Sequence, residues 1–391
     1  MRPSKRLDML TSAIFTEMNQ RKRKVEETGL KVIDLGIGSP DQPPSPHLIE
    51  ALVKAVQNPD NYRYPTSEGS YAFRQAVSRW YQFRFGVELN PQDEVLSLMG
   101  SQDGLAHMAQ GWIDPGDVVL VPDPGYPIYA ASVAMAGGEM FSMPLVEENN
   151  YLPDLDRIPE DICRRAKMMI LNYPNNPLAA TADLEFFQRV ISFAKRHDIL
   201  VVHDFAYSEL TFEGYVPPSI LEVEGAKDIA IEFNSLSKSF NMAGCRIAYV
   251  VGRSEFLKPL AIVKSNIDYG VFLAVQEMAI AALETDINRK HPNPNGNLYQ
   301  ERRDLFLDGL AKLGWVIPKP KATMFIWAKI PQGWTSTEFS YTLLEKAGVV
   351  VIPGNAFGVE GEGYVRIALV QDQELLQDAV RRIKGSRILE L

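Results

Sequence analysis

A lysine set among hydroxyl residues gives the strongest chemical signal in this sequence. Lys238 follows Ser235 and Ser237, and Arg246 comes eight residues after it. Apolar runs on both sides predict strands, so the lysine is expected in a pocket at a sheet edge. A partly desolvated amine loses its proton and can form a Schiff base with an aldehyde cofactor. The hydroxyls and the arginine suit a phosphate beside that amine.

Two other interpretations of this segment exist. Ser235 and Lys238 also match the Ser-x-x-Lys spacing of serine β-lactamases, but the Ser-Asp-Asn and Lys-Thr-Gly tripeptides that those enzymes need do not occur here. The second interpretation is an ordinary loop lysine in contact with solvent, which the segment alone leaves open.

An aspartate at the end of an apolar run is the second signal. Asp204 follows the run at residues 199–202, and parallel sheets bind ligands at the carboxyl ends of their strands. Its carboxylate can pair with a protonated ring nitrogen, and Tyr207 can reach a ring oxygen. A simple cap for the next helix is the alternative. His203 is expected to point to the opposite face of the strand and receives no role.

Three further positions are weaker on their own. Asn176 lies between prolines that fix its backbone, although Asn-Pro is also common turn chemistry. Ser101 and Gln102 open a predicted helix whose free N–H groups suit a phosphate, although any capped helix looks similar. Arg366 lies in an alternating strand pattern and can grip a carboxylate through two hydrogen bonds, or simply face solvent.

The glycines at positions 36 and 38 resemble the turn of a dinucleotide-binding fold only superficially. The third glycine is missing, and nearby prolines would obstruct the following helix. We therefore reject that fold and keep Gly38 as a place where backbone approaches a ligand.

Size and composition limit the classes of function. The chain has 391 residues, 46% apolar and 23% charged, with a net charge of −9 and two cysteines. An acidic chain disfavours nucleic acid and anionic membrane as partners. No apolar stretch long enough for a membrane span and no signal-peptide pattern occur, so we expect a cytoplasmic protein. The cysteines predict neither disulfides nor a metal site.

Apolar runs alternating with helical patterns predict the fold class, which is α/β. The predicted strands of a mainly parallel sheet are residues 118–121, 168–171, 199–202, 229–233 and 247–251. The predicted helices around it are residues 101–112, 126–136, 183–196 and 272–283. A breaker cluster at residues 291–296 separates a C-terminal part of mixed helices and strands. We predict a large domain at residues 46–290 and a smaller α+β domain made of residues 1–45 and 291–391.

Taken together, these residues resemble the class I/II aminotransferases, which are pyridoxal-phosphate enzymes of fold type I. The resemblance covers essentially the whole chain and rests on motif order and spacing. Asn176 precedes Asp204 by 28 residues, Tyr207 follows three residues later, and Arg246 follows the lysine by eight. Arg366 lies near the carboxyl end, as in that family.

The resemblance implies roles for these residues. Lys238 would carry the cofactor and move the substrate proton, and Asp204 would keep the pyridine nitrogen protonated. Tyr207 and Asn176 would bond the phenolic oxygen of the ring. Arg366 and the backbone near Gly38 would hold the substrate α-carboxylate. The residues implied for the phosphate cradle are Ser101, Gln102, Ser235, Ser237 and Arg246.

The resemblance also implies an assembly. Tyr126 matches the aromatic residue that stacks on the ring. Tyr64 matches a tyrosine that reaches the phosphate of the neighbouring subunit, so a homodimer with shared sites is expected. Two departures from the family pattern are Leu178-Ala179, where Thr-Gly is usual, and Cys245, where tryptophan is frequent.

Local similarity is strongest to the branch that holds LL-diaminopimelate and alanine aminotransferases. An amino acid and a 2-oxo acid, with glutamate/2-oxoglutarate or alanine/pyruvate as one pair, are therefore the expected substrates. A carbon–sulfur β-lyase on the same fold is the alternative within the cofactor class. A non-enzymatic regulator is a remote alternative, because the DNA-binding extension of such proteins is missing here.

Overall fold

A computed structural model describes residues 4, 7, 10, 13–288 and 294–390 of the chain. Part of the expected breaker cluster, residues 291–293, and most of the first twelve residues lie outside the described residues. None of the helices in the described part combines the length and apolarity that crossing a bilayer requires.

The strands and helices alternate through the middle of the chain. The strands are β1 (Ile33–Asp34), β2 (Val95–Leu98), β3 (Val118–Asp123), β4 (Glu139–Pro144), β5 (Ala166–Asn172), β6 (Leu200–Asp204), β7 (Ala230–Ser235), β8 (Ala248–Gly252), β9 (Phe325–Lys329), β10 (Val349–Val350), β11 (Ile352–Pro353) and β12 (Tyr364–Ala368). The α-helices are α1 (Ala13–Glu27), α2 (Pro46–Val56), α3 (Tyr71–Phe85), α4 (Ser101–Trp112), α5 (Ile128–Ala136), α6 (Glu160–Arg165), α7 (Leu184–His197), α8 (Leu236–Ser239), α9 (Ser254–Ser265), α10 (Leu273–Ile287), α11 (Pro294–Ala311), α12 (Ser336–Ala347) and α13 (Gln373–Ser386).

A seven-stranded sheet forms the larger part of the molecule, in the order β2-β8-β7-β6-β5-β3-β4. The neighbours from β4 to β7 run parallel, while β8 is antiparallel to both β7 and β2. The prediction of an α/β fold with a mainly parallel sheet is confirmed.

Helices cover both faces of this sheet, which explains the continuous apolar runs. Along β6, Val201 packs into a cluster with α3, α7 and α10, whereas Val202 packs into the opposite cluster with α4, α5 and α9. Successive strand residues point to opposite faces, so both must be apolar when both faces are buried.

The C-terminal part forms its own small antiparallel sheet, in the order β11-β12-β9, with α11, α12 and α13 packed around it. The N-terminal segment joins it, because β1 pairs in parallel with β10, residue Ile33 opposite Val349. The sequence predicts a smaller domain made of these two segments. Its boundaries at residues 45/46 and 290/291 stay a prediction.

The strand order brings three chain segments to one edge. Asn172 at the end of β5 lies opposite Asp204 at the end of β6, and Asp204 lies opposite Phe233 on β7. Parallel strands end at the same edge of their sheet, and here that edge faces the small sheet.

Candidate active site

A cavity of about 500 Å³ lies between the carboxyl edge of the large sheet and the small sheet. The structure brings nearly all the residues singled out in the sequence to its wall. These are Gly38, Ser101, Gln102, Tyr126, Asn176, Asp204, Tyr207, Ser235, Ser237, Lys238, Arg246 and Arg366. Tyr64 does not line this cavity.

Lys238 projects into the cavity from α8, a single turn that begins after β7. The Ser235 hydroxyl caps that turn by accepting a hydrogen bond from the Ser237 N–H at 3.2 Å. The ammonium Nζ donates to the Gly38 carbonyl at 2.5 Å. Burial lowers the pKa of Lys238 to about 8, with further lowering by the Arg366 and Arg246 charges. The amine is therefore far easier to deprotonate than an ordinary lysine.

Asp204 lies at the base of the cavity with only 5% of its surface exposed. The Tyr129 hydroxyl donates to Oδ2 at 2.8 Å, and the Ala206 N–H donates to Oδ1 at 3.3 Å. Burial raises the pKa of Asp204, and these two hydrogen bonds oppose that rise without cancelling it. A cationic group seated against this carboxylate would favour its charged form.

The phosphate end of the cavity is built around the start of α4. Gly100 has a φ of 89°, and a Cβ there would lie 2.1 Å from Nη2 of Arg246. Glycine therefore lets the guanidinium lie over the helix start. Arg246 itself has a φ of 52°, and its Nη1 donates to the Ala243 carbonyl at 2.9 Å. Free helix N–H groups, a cation and the serine hydroxyls form a donor set suited to a phosphate.

The opposite end is formed by Arg366 on β12. Its Nη1 donates to Asn176 Oδ1 at 3.0 Å and its Nη2 donates to the Gly36 carbonyl at 2.6 Å. The guanidinium carbon lies 4.5 Å from the ring centroid of Phe325 and 4.7 Å from that of Phe357. Burial lowers the pKa of Arg366 to about 10. Its Nε is buried without a hydrogen-bond partner in the described residues, and each Nη keeps a second N–H beyond the bond it already donates.

The turn that carries Asn176 is tied to β6. The Asn176 N–H donates to Asn172 Oδ1 at 2.7 Å, and Asn172 Nδ2 donates to the Asp204 carbonyl at 2.7 Å. Tyr207 lies beside Asn176. Burial raises the pKa of Tyr207, and the negative charge of Asp204 raises it further. The tyrosine therefore remains a hydrogen-bond donor at neutral pH.

Tyr126 closes one side of the cavity. Its hydroxyl donates to Gln102 Oε1 at 2.7 Å, and its ring centroid lies 5.9 Å from that of Tyr129. Sequence reasoning missed Tyr129, although it follows Tyr126 by three residues at the start of a helix. It also missed Phe15, Phe325 and Phe357, which line the same cavity.

Tyr64 lies on the surface with 86% of its area exposed. Its ring centroid is 5.2 Å from that of Tyr269, which is 69% exposed.

Cys163 lies away from this cavity, on α6, with the side chains of Glu160 and His197. One potential ligand atom from each residue falls within 4.8 Å of the others. Neither described cysteine forms a disulfide. None of these three residues lines the cavity.

The comparisons with known proteins agree on the class. The family description "aminotransferase class I and II" matches residues 30–383. This chain belongs to that family, whose members depend on pyridoxal phosphate. The predicted class, an enzyme that transfers amino groups with this cofactor, is confirmed.

The individual relatives are similar over nearly their full lengths. An LL-diaminopimelate aminotransferase of Moorella thermoacetica is 48% identical over 390 residues, which is 98% of each chain. One from Halothermothrix orenii is 48% identical over 391 residues, 99% of each. Among solved structures, substrate-bound BacF from Bacillus subtilis matches with a TM-score of 0.93 and 41% sequence identity. The match covers 98% of this chain and 97% of the BacF chain.

Proposed function

We propose that this chain is an LL-diaminopimelate aminotransferase that uses a 2-oxo acid such as 2-oxoglutarate as its partner substrate. The observation that carries the proposal is the 48% identity over 98% of both chains to a relative of that name. The cavity supports it, because it offers one donor set for a phosphate and a separate buried guanidinium for a carboxylate.

The proposed chemistry divides between cofactor and protein. When bound, pyridoxal phosphate supplies an aldehyde for amine exchange and a ring that withdraws electrons from the substrate α-carbon. Lys238 Nζ is the base that removes the proton from the substrate α-carbon and then delivers it to the cofactor side, which completes the amine exchange. Its pKa of about 8 suits this role, because a base works best when its pKa lies near the working pH.

Asp204 and Tyr207 are proposed to hold protons in fixed places. The Asp204 carboxylate would keep a proton on the ring nitrogen, with Tyr129 fixing the orientation of the carboxylate. Tyr207 and the Asn176 side chain would donate toward the phenolic oxygen of the ring. Ser101, Gln102, Ser235, Ser237 and Arg246 are proposed as the phosphate cradle, with Tyr126 against the ring face.

Arg366 is proposed to orient the substrate through its α-carboxylate, together with the backbone near Gly38. Arg366 lines the cavity, and the second N–H on each Nη gives its guanidinium two planar donors that match a carboxylate. Holding this carboxylate fixes the direction of the bond from the α-carbon to its hydrogen, which removes orientational freedom before proton transfer.

The distal end of a diaminopimelate needs additional partners. The fixed cations that line the cavity are Lys238, Arg246 and Arg366, and each already has a proposed task. Ser39 is a polar wall residue without another proposed task, and a second charged end can meet it. A neighbouring subunit would supply the remaining contacts.

A homodimer is proposed on a surface of exposed aromatic residues. Tyr62 and Tyr64 are 66% and 86% exposed, and they contact Phe272 and Tyr269 at ring-centroid distances of 5.5 and 5.2 Å. Exposed aromatic patches mark interfaces, and Tyr64 would reach the phosphate of the partner's site from here. A cytoplasmic location, expected from the composition, belongs to the same proposal.

The test compares amino donors at saturating pyridoxal phosphate. LL-diaminopimelate should drive glutamate formation from 2-oxoglutarate with a higher kcat/KM than meso-diaminopimelate, alanine or aspartate. Borohydride reduction followed by peptide mapping should place the cofactor on Lys238, and Lys238→Ala should lose both the label and the activity.

Three results would contradict parts of the proposal. Alanine or aspartate as the best donor would overturn the substrate, while leaving the class intact. Pyruvate and ammonia released from cystathionine without added 2-oxo acid would favour the β-lyase alternative. A label on another lysine would overturn the site.

A further inference from the structure

A buried pair of ionisable residues lies behind Asp204, on the face of the sheet away from the cavity. His203 on β6 and Glu232 on β7 are register partners, and both are 0% exposed. His203 Nδ1 lies 2.8 Å from Glu232 Oε2. The His203 ring packs between Phe187 and Phe205, at centroid distances of 4.9 and 5.1 Å.

The hydrogen bonds of Glu232 identify its state. Its Oε1 accepts from the Tyr81 hydroxyl at 2.9 Å and from the Ser219 hydroxyl at 2.7 Å. Its Oε2 accepts from the Ile220 N–H at 3.0 Å and faces His203. The Ser219 oxygen also accepts from a backbone N–H, so its proton points to the carboxylate. A carboxylate has about four acceptor positions; three of them accept from Tyr81, Ser219 and Ile220, and the fourth faces His203 Nδ1, so these three donors favour the charged form of Glu232.

The hydrogen bonds of His203 then identify its own state. Its Nε2 lies 3.0 Å from the Tyr173 carbonyl, which can only accept. Nε2 must therefore carry a proton. Nδ1 faces an ionised Glu232 and must carry one as well. One proton lies in the 2.8 Å contact between Nδ1 and Oε2, and the three other donors to Glu232 stabilise the carboxylate, which places that proton on Nδ1.

This pair is connected to two parts of the proposed site. His203 precedes Asp204 on β6, and its positive charge is among the influences that favour the ionised Asp204 against burial. The Tyr173 carbonyl belongs to the turn that carries Asn176, so the Nε2 bond fixes that turn from behind. Asp204 and the turn that carries Asn176 are therefore both supported by the buried His203–Glu232 pair.

We propose that His203 is a doubly protonated imidazolium and that, with Glu232, it forms a positioning pair that keeps Asp204 charged and holds the Asn176 turn in place. The role of the pair rests on the proposed function, because Asp204 and Asn176 act there on the cofactor. The protonation state does not rest on it.

The protonation state is tested on the protein without cofactor. Histidine labelled with ¹⁵N is observed at neutral pH, and the His203 signals are assigned as those missing from His203→Gln. We expect both ring nitrogens to carry a proton, with Glu232→Gln removing one of them. A His203 spectrum with one unprotonated nitrogen would overturn the proposal.

The positioning role is tested with His203→Gln, which keeps a donor for the Tyr173 carbonyl but removes the charge. We expect the dissociation constant of pyridoxal phosphate to rise and kcat to fall, each about tenfold, with less than about twofold change in KM for the amino donor. The visible absorption band of the bound cofactor should also change. Tyr81→Phe, which keeps the pair and removes one outer donor, should show little of either effect.

A purely structural role gives a different result. The melting temperature would fall while cofactor affinity, spectrum and kcat stay those of the wild type, and that outcome would overturn the positioning role. Borohydride labelling of Lys238 in the wild type separates the two proposals. Absence of that label contradicts the proposed function, while the ¹⁵N spectrum still decides the state of His203.

Discussion

The two ends of the cavity each hold an arginine, and the two arginines are set in different surroundings. Arg246 is exposed, lies over the start of α4 and has serine hydroxyls around it. Arg366 is 5% exposed and lies between Phe325 and Phe357, so its pKa falls to about 10. One cation is held in a polar, open end and the other in an apolar, closed one.

This difference matches the two anions of the proposed reaction. A phosphate that stays bound through each cycle can share many donors, so no single cation is decisive. A substrate carboxylate enters and leaves in every cycle, and a single desolvated guanidinium binds it strongly and directionally. The cost of burying Arg366 is offset by its bonds to Asn176 and Gly36.

The largest expected effect is on the closed end. Arg366→Gln should lower kcat/KM for the amino donor by roughly a hundredfold, about 3 kcal/mol, because a buried charge partner is lost. Cofactor affinity, measured by absorbance titration, should change far less. Arg366→Lys is the matched control, which keeps the charge without the planar fork and should recover only part of the loss. Equal losses in cofactor and substrate binding would remove the distinction between the two ends.

The open end should respond more weakly. Arg246→Gln should raise the dissociation constant of pyridoxal phosphate roughly tenfold, since the helix start and the hydroxyls remain. Pyridoxal, which has no phosphate, is the matched ligand and should bind wild type and variant alike. A loss as large for pyridoxal as for pyridoxal phosphate would show that Arg246 does not act on the phosphate.

A smaller effect concerns the lysine between the two cations. Lys238 has a pKa of about 8, lowered by burial first, then by Arg366 and then by Arg246. The rate of cofactor attachment to the cofactor-free protein should therefore rise about tenfold per pH unit below 8 and level off above it. Removing a neighbouring cation favours the ammonium, so Arg366→Gln should move this profile to higher pH, and Arg246→Gln should move it less. Stopped-flow absorbance measures the profile, and one that is flat between about pH 6 and pH 10 would contradict the assignment.

The smallest effect is expected between the two ends of the cavity, at Asp204, the proposed partner of the ring nitrogen. Tyr129→Phe removes one hydrogen bond to Asp204 and should raise the pKa of that carboxyl further. Cofactor affinity should fall about fivefold, about 1 kcal/mol, with KM for the amino donor nearly unchanged. A large change in KM would mean that Tyr129 also acts at the carboxylate end.

Much of this arrangement could be predicted from the sequence. Lys238, Asp204 and Asn176 lie at or just after the ends of strands that contain apolar runs, so their position at one sheet edge follows from the pattern. The edge strand β4 was missed, because half of its residues face solvent and it shows no apolar run. The antiparallel direction of β8 also has no local signal, since direction depends on the connection rather than on composition.

The missed cavity residues have a different cause. Phe15, Phe325 and Phe357 come from distant parts of the chain and meet only through the packing of the small sheet. Most of the predicted site residues lie at strand ends, turns or helix starts, where local sequence determines geometry. His203 was left without a role, because its importance depends on Glu232, 29 residues later, and not on its neighbours in sequence.

The partners of Lys238 and Arg366 have one more consequence. Both cations bond to backbone carbonyls, those of Gly38 and Gly36, and a carbonyl satisfies a donor without neutralising its charge. A protein with a net charge of −9 thus keeps a locally positive opening. Such a field guides anions during diffusion, so capture of cofactor and substrate should be faster at low ionic strength, even though the surface as a whole repels them.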